Sequence, residues 1–229
     1  MNILGLVSLW KFNEGQGTTV DDLVGGNTLN FVGAPTWIMA SYGNRNNTYV
    51  LSITSPAQKA SFVLPENIIA MKSFTLTTWV YFTGLYPTSS QAQQRWLTFG
   101  PDCPSTTTCS GARGYGFFYM NGYVTNGPTC LGIINFMSCS IAQWYHLALT
   151  WDGSLWVSYL NGMATGNTLN SRMYPLQAGD VFSVTNNGCE GTCSSCKSFA
   201  GSGFGGFIGE TRFYNVSLSQ KEVMSISLM

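Results

Sequence analysis

Hydrophobic and polar residues alternate along most of the chain in short runs that are rich in β-branched and aromatic side chains. Alternation with a period of two places successive side chains on opposite faces of a strand, so the pattern predicts β-strands. Turns of Gly, Asn, Pro and Ser separate these runs. They include LVSLWKF, KASFVLP, SFTLTTWVYF, RWLTFG, GYGFFYM, LGIINFM, WYHLALTW, SLWVSYLNG, DVFSVT and GFIGETRFYNV. The chain is therefore predicted to be all-β.

Only the last stretch, SLSQKEVMSISLM, has the composition of a helix. Ser217 or Ser219 is the expected N-cap, because a serine hydroxyl accepts a hydrogen bond from a free amide of the first turn. Glu222 follows early in this segment, where the helix dipole favours a carboxylate. We therefore predict a short C-terminal helix.

The aromatic segment WYHLALTWDGSLWVSYLNG, residues 144–162, contains the chain's only histidine. Asp152-Gly153 and Asn161-Gly162 are turn dipeptides between strand-like runs, so the segment is predicted to form two consecutive hairpins. His146 has no candidate catalytic partner beside it, and we interpret it as packed or hydrogen-bonded, with a ligand contact as the alternative. Strand alternation predicts that three side chains on the other face point to the core: Leu147, Leu149 and Trp151.

Four segments resemble, in their order and spacing, laminin-G-like domains of the concanavalin A-like jelly-roll family: GLVSLWKFNEGQGTTVDDLVGGN, SFTLTTWVYF, WYHLALTWDGSLWVSYLNGMATG and FGGFIGETRFYNVSLSQKEVMSI. The resemblance runs from Leu6 to about Ser227. It implies a two-sheet antiparallel jelly-roll sandwich with adjacent N- and C-terminal strands. We therefore expect a single domain over residues 1–229. Residues at about 84–140 and 186–206 depart from the family pattern as long, cysteine-bearing insertions.

The chain carries few charges: ten basic and ten acidic residues make up 9% of its 229 residues and cancel to a net charge of zero. Average soluble domains have roughly 25% charged residues. No cluster of Lys or Arg is present that would neutralise a row of phosphates, so nucleic acid is excluded as a partner. No run approaches the ~20 apolar residues that cross a bilayer, so membrane insertion is not expected either.

Seven cysteines lie in or beside the insertions: Cys103, Cys109, Cys130, Cys139, Cys189, Cys193 and Cys196. The last three have the C-x3-C-x2-C spacing of an iron–sulfur motif, but no alternating β/α pattern accompanies them, and a zinc site lacks a second group of ligands. Disulfides are the favoured interpretation, with Cys103–Cys109 and Cys130–Cys139 favoured by proximity and one cysteine left over. Disulfides persist in oxidising compartments, so the protein is predicted to be extracellular or at the cell surface.

Two N-glycosylation sequons, at Asn46 and Asn215, agree with this location. Low charge, a net charge of zero and an odd number of cysteines also make contact between copies of the chain an expectation.

Catalytic patterns are absent from the sequence. Glycoside hydrolases of this fold usually place paired carboxylates on one strand as E-x-D-x-E, and no such run occurs. No Ser–His–Asp grouping is proposed, and the G-x-G-x-x-G of residues 201–206 precedes a strand rather than a nucleotide-binding helix. We therefore expect that the protein is not an enzyme.

The family resemblance also implies a structural calcium ion. Asp22, Gly25 and Asn27 match a loop that helps to bind calcium in related domains, and Glu210 matches an acidic position near the same edge. Oxygen ligands suit this ion. The alternative is that Asp and Asn in a Gly-rich turn need no metal.

These observations lead to two hypotheses on function. The first is a non-catalytic extracellular binding or adhesion module that recognises a glycan or an extracellular protein, with exposed Tyr and Trp rings stacking on sugars. The alternative is a structural subunit of an extracellular filament, coat or matrix.

Overall fold

A computed structural model describes residues 4–55, 58–84, 94–101, 115–120, 123–128, 135–169, 176–185 and 204–229. These residues form two antiparallel sheets and two short helices, so the predicted all-β sandwich is confirmed. The helices are α1 (Glu66–Ile69) and α2 (Gln220–Ser227).

The first sheet, sheet A, carries both chain-terminal strands. Its strands are, in spatial order, β14 (Met163–Leu169), β13 (Leu155–Leu160), β12 (Trp144–Trp151), β7 (Phe74–Phe82), β16 (Gly206–Tyr214), β5 (Arg45–Ile53) and β4 (Thr36–Tyr42). In addition, β1 (Leu6–Trp10) pairs with β16, as the resemblance implied for the N- and C-terminal strands.

The second sheet, sheet B, packs against sheet A. Its order is β11 (Asn135–Ser138), β10 (Tyr123–Pro128), β9 (Tyr115–Met120), β8 (Gln94–Pro101), β15 (Asp180–Val184), β6 (Lys59–Val63), β3 (Leu29–Val32) and β2 (Thr19–Val20). Four of these strands fall within residues 84–140. This range is therefore not only a loop insertion, because its alternating pattern adds β8–β11 to the sheet.

Aromatic rings from both sheets fill the space between them. Trp10 of sheet A stacks on Phe182 of sheet B with ring centroids 4.9 Å apart, and Phe82 meets Trp96 edge-on at 5.3 Å. The three side chains predicted to face the core are all at most 2% exposed: Leu147, Leu149 and Trp151. The strand alternation of the aromatic segment is thus confirmed.

The two predicted hairpin turns are also present. Trp151 pairs with Trp156 across the first, and an oxygen of Asp152 accepts hydrogen bonds from the two amides that follow Gly153. In the second, Asn161 and Gly162 have φ of +50° and +83°, the left-handed values that a two-residue hairpin loop requires.

Helix α2 begins at the predicted cap. The Ser219 hydroxyl accepts from the Glu222 amide, and the Glu222 carboxylate accepts from the Ser219 amide, which completes a capping box. Val223 and Ile226 pack the helix onto Ala148 on the outer face of sheet A. The helix therefore covers one part of that face.

One cysteine of the seven lies within the described residues. Cys139 is a free thiol among the described residues, 1% exposed in the main core. Burial among apolar groups raises the pKa of this thiol to about 12. Because Cys130 lies outside the described residues, the Cys130–Cys139 disulfide stays a prediction. The predicted disulfide cysteines Cys103, Cys109, Cys130, Cys189, Cys193 and Cys196 lie outside the described residues.

Candidate functional site

Four aromatic side chains form a contiguous group on the outer face of sheet A, which we call the aromatic cluster: Tyr42, Tyr81, Trp144 and Phe207. Tyr81 stacks on Phe207 at 4.9 Å, and Trp144 lies 5.6 Å from Tyr81 and 6.3 Å from Phe207. Tyr42 stacks on Trp144 at 4.7 Å. The rings thus form a compact patch.

Strand register explains why three of these rings meet. Tyr81 on β7 pairs with Trp144 on β12 and with Phe207 on β16, its two neighbouring strands. Side chains of paired residues lie on the same face, so the three rings stand side by side. All three are half-buried, so each keeps a part of its surface in contact with solvent.

Tyr42 joins the patch from the end of β4. Its ring also packs on Trp79, and its hydroxyl accepts a hydrogen bond from the Glu210 amide at 3.1 Å. Burial raises the pKa of this hydroxyl, so it stays protonated at neutral pH. The Arg45 guanidinium lies over the same ring, 5.3 Å from its centroid, which adds a cation–π contact.

An ion network borders the aromatic cluster. The Glu210 carboxylate binds the Arg45 guanidinium at 2.7 Å through one oxygen and the Arg212 guanidinium at 2.6 Å through the other. Glu210 is 6% exposed, and the arginine side chains are 21% and 14% exposed. Burial acts to lower the pKa of Arg212, but the charge of Glu210 and the interactions with Tyr214 together outweigh it and raise that pKa.

His146 lies on the same outer face and is 1% exposed. Its ring meets Trp79 edge-on at 5.3 Å, and within the described part of the chain neither ring nitrogen has a hydrogen-bond partner. Burial, together with the charges of Arg212 and Arg45, lowers the pKa of His146 to about 3. These surroundings favour a packed structural residue over a ligand contact.

The His146 environment predicts a loss of stability in acid. The unfolded histidine takes up a proton near pH 6.5 while the folded one resists until about pH 3, so stability falls as the pH drops through this window. We expect a slope of up to ~1.4 kcal/mol per pH unit. Urea unfolding at pH 7, 6, 5 and 4 measures it, with His146→Met as the reference that lacks the titrating ring. Equal slopes for the two proteins would contradict this prediction.

The predicted calcium loop is organised by hydrogen bonds to one carboxylate. Asp22 accepts from the backbone amides of Leu9, Val24, Gly25 and Asn27, and also from the Asn27 side chain. Burial acts to raise the pKa of Asp22, but these amides outweigh it and lower the pKa. The loop is thus held by N–H donors that occupy the oxygens a metal ion would need.

The three predicted calcium ligands contact other protein groups in this structure, and calcium binding at Asp22, Asn27 and Glu210 stays a prediction. The oxygens of Asp22 face N–H hydrogens, the Asn27 amide donates to Asp22, and both oxygens of Glu210 bind guanidinium groups. Over the described ranges, no group of three or more His, Cys, Asp or Glu side chains is placed to hold a metal ion.

The two glycosylation sequons lie at accessible positions. Asn46 in β5 and Asn215 after β16 are both exposed. Attachment of a sugar at either residue stays a prediction.

Sequence reasoning did not single out the aromatic cluster. Trp144 and Tyr81 belong to strands that the pattern predicted, but pairing partners on different strands were not assigned. The signal available in the sequence was the position of each ring on the face of a strand that otherwise carries polar residues. A group of large aromatic side chains on such a face indicates a binding surface.

Two antiparallel sheets packed face to face define a jelly-roll sandwich of the concanavalin A type. A profile of the Laminin_G_3 family, described as the concanavalin A-like lectin/glucanases superfamily, matches residues 56–224. The chain belongs to this family, and the resemblance found in the sequence is confirmed. No curated protein sequence matches the chain.

Solved structures share the fold at low sequence identity. A Trypanosoma rangeli sialidase in complex with sialic acid is 17% identical with a TM-score of 0.67, over 99% of this chain and 33% of the sialidase. Domain 4 of AbnA, a GH43 extracellular arabinanase from Geobacillus stearothermophilus in complex with arabinotriose, is 16% identical with a TM-score of 0.62. That match covers 97% of this chain and 98% of the domain. The chain thus spans about a third of the sialidase it matches.

These comparisons correct two expectations. The sequence predicted a non-catalytic binding or adhesion module, or a structural subunit, and predicted that the protein is not an enzyme. The matched structures include a sialidase and a domain of an arabinanase, so the fold occurs in proteins that hydrolyse sugars. The expectation was wrong because it rested on the absence of catalytic sequence motifs. Such motifs differ between hydrolase families, so their absence does not show in which proteins the fold occurs.

Neither helix in the described part of the chain has the length and apolarity that crossing a membrane requires.

Proposed function

We propose that this chain is the sugar-recognition domain of a glycan-processing protein and that it holds the glycan on the aromatic cluster. The observation that carries the proposal is the contact of three half-buried rings, Tyr81, Trp144 and Phe207, on an outer sheet face. The sugar complexes of the structural neighbours support it.

The chemistry of the patch suits a sugar ring. One face of a pyranose or furanose presents C–H groups that pack on aromatic rings, and its hydroxyls seek hydrogen bonds at the rim. The centroids of the Tyr81, Trp144 and Phe207 rings lie between 4.9 and 6.3 Å apart. The patch is therefore large enough for one or two sugar units rather than a long chain. Because the rings already contact each other, little side-chain freedom is lost on binding.

The experiment is a binding titration with a panel of soluble oligosaccharides that includes arabinotriose and sialic acid. We expect one class to bind, and we expect Trp144→Ala and Phe207→Ala to lower the affinity about tenfold, which corresponds to ~1.4 kcal/mol of lost ring contact. Val63→Ala, an exposed apolar residue of sheet B at 64% exposure, is the matched control.

Two results would count against the proposal. One is the absence of binding across the panel, and the other is binding that both aromatic variants leave unchanged. Thermal unfolding of each variant separates a lost contact from a lost fold.

We further propose that the domain works outside the cell, as the sequence analysis predicted. The exposure of Asn46 and Asn215 supports this location, because a sequon must be accessible to be modified. Intact-mass measurement of native material before and after N-glycan removal tests it, and unshifted masses would contradict it. Contact with an extracellular protein or with another copy of the chain stays a prediction for sedimentation analysis.

A further inference from the structure

We infer that the protein has a second sugar-binding site, specific for uncharged saccharides, at the edge of the sandwich where β4 and β5 meet the loop of residues 13–18. We call it the edge site. It consists of Tyr49, Trp37 and this loop, and it rests on the proposed function, because it assigns the same class of ligand to a different surface.

Tyr49 supplies an open ring at the edge site. It is 42% exposed, and it is the one aromatic residue among the exposed large hydrophobic side chains of the described residues. Its cross-strand partner Met39 is 58% exposed. The edge of sheet A thus presents part of an aromatic ring and a thioether to solvent.

The loop packs against Tyr49 through a glycine. A Cβ atom placed on Gly15 would lie 2.6 Å from Tyr49 Cδ2, and Gly15 has φ of +75°. Only glycine therefore lets the loop approach the ring at this point. Contact with Gly15 holds the Tyr49 ring in place. The exposed part of the ring stays free to contact a ligand.

Trp37 fixes the other end of the loop. Its indole N–H donates to the Gly17 carbonyl at 3.0 Å. The Thr18 carbonyl in turn accepts from the Phe31 amide at 2.7 Å, which ties the loop to sheet B. The loop is therefore held to both sheets before any ligand arrives.

Polar side chains on this loop supply hydrogen-bonding groups. Asn13, Gln16 and Thr18 are exposed, and together they offer amide and hydroxyl groups that both donate and accept. Glu14 accepts from the Asp21 amide through Oε1, and within the described residues its Oε2 has no hydrogen-bond partner. This oxygen is buried, so it does not contact a ligand directly. The negative charge of Glu14 behind the loop repels an acidic sugar, so the expected ligand is uncharged.

The edge site is separate from the aromatic cluster. On β4, Trp37 packs against the core between the sheets, while Ile38 and Tyr42 pack on the outer face. Alternate residues of a strand point to opposite faces, so the two sites lie on opposite sides of sheet A. One sugar unit cannot contact both sites.

The test is calorimetric titration of the whole chain with arabinotriose and with other neutral oligosaccharides. We expect a stoichiometry of two for the native protein and one for Tyr49→Ala, with Tyr49→Phe restoring two because it keeps the ring. In Trp144→Ala we expect one of the two sites to weaken about tenfold and the other to be unchanged. Sialic acid binding should be the same for Tyr49→Ala and for the native protein.

The outcomes separate this inference from the proposed function. A stoichiometry of one that depends on Trp144 and is unchanged in Tyr49→Ala overturns the edge site and leaves the proposed function standing. Loss of sialic acid binding in Tyr49→Ala overturns the assignment to uncharged sugars. No binding of any saccharide overturns both proposals.

Discussion

Replacing Glu210 by Gln is expected to destabilise the protein by about 3 kcal/mol, because two guanidinium groups lose their shared carboxylate. Arg45 and Arg212 approach that carboxylate at 2.7 and 2.6 Å, and all three side chains are largely removed from water. The neutral amide keeps the shape of the side chain and removes its charge. The lost stability therefore reports the cost of leaving two partly buried positive charges without a counter-charge.

Urea unfolding at pH 7 measures the effect. Glu222→Gln is the matched control, because Glu222 is an exposed capping residue whose replacement should cost ~1 kcal/mol or less. A second variant, Glu210→Gln with Arg45→Met, should recover part of the loss, since it removes one of the two unpaired charges. A change below 1 kcal/mol for Glu210→Gln alone would show that solvent screens this network.

Truncation of Leu149 to Ala is expected to lower the free energy of unfolding by about 2–5 kcal/mol, as buried leucine truncations do. Leu149 is 1% exposed in the middle of β12, where it pairs with Leu76 on β7. Its side chain lies between neighbours that are fixed in two sheets. The cavity therefore cannot close by a small local shift.

Leu23→Ala is the control for this truncation, because Leu23 is 57% exposed and loses the same atoms. We expect it to change stability by less than ~0.5 kcal/mol. Equal losses for the two variants would mean that β12 does not lie in the core as described.

Much of the fold follows from local pattern. Alternation at Leu147, Leu149 and Trp151 predicted the buried face of β12, and Ser219 with Glu222 predicted the start of α2, because both signals lie within a few residues of chain. The four segments that resemble the family also predicted the two-sheet sandwich. These features depend on short-range physics that a sequence displays directly.

The candidate sites depend on long-range pairing, which the sequence does not display. Tyr81 meets Trp144 and Phe207 only because β7 lies between β12 and β16. Glu210 was assigned to calcium because Arg45, one of its two arginine partners, lies 165 positions away in the sequence.

The position of β16 has a consequence for biosynthesis. This strand comes from residues 206–214 yet lies inside sheet A, between β7 and β5, and it also pairs with β1. During translation, the edges of β7 and β5 that pair with β16 therefore stay unpaired until residues 206–214 have been synthesised. Exposed strand edges of this kind pair readily with strands of other chains. Nascent copies therefore depend on prompt synthesis of β16, or on a chaperone, to keep them apart.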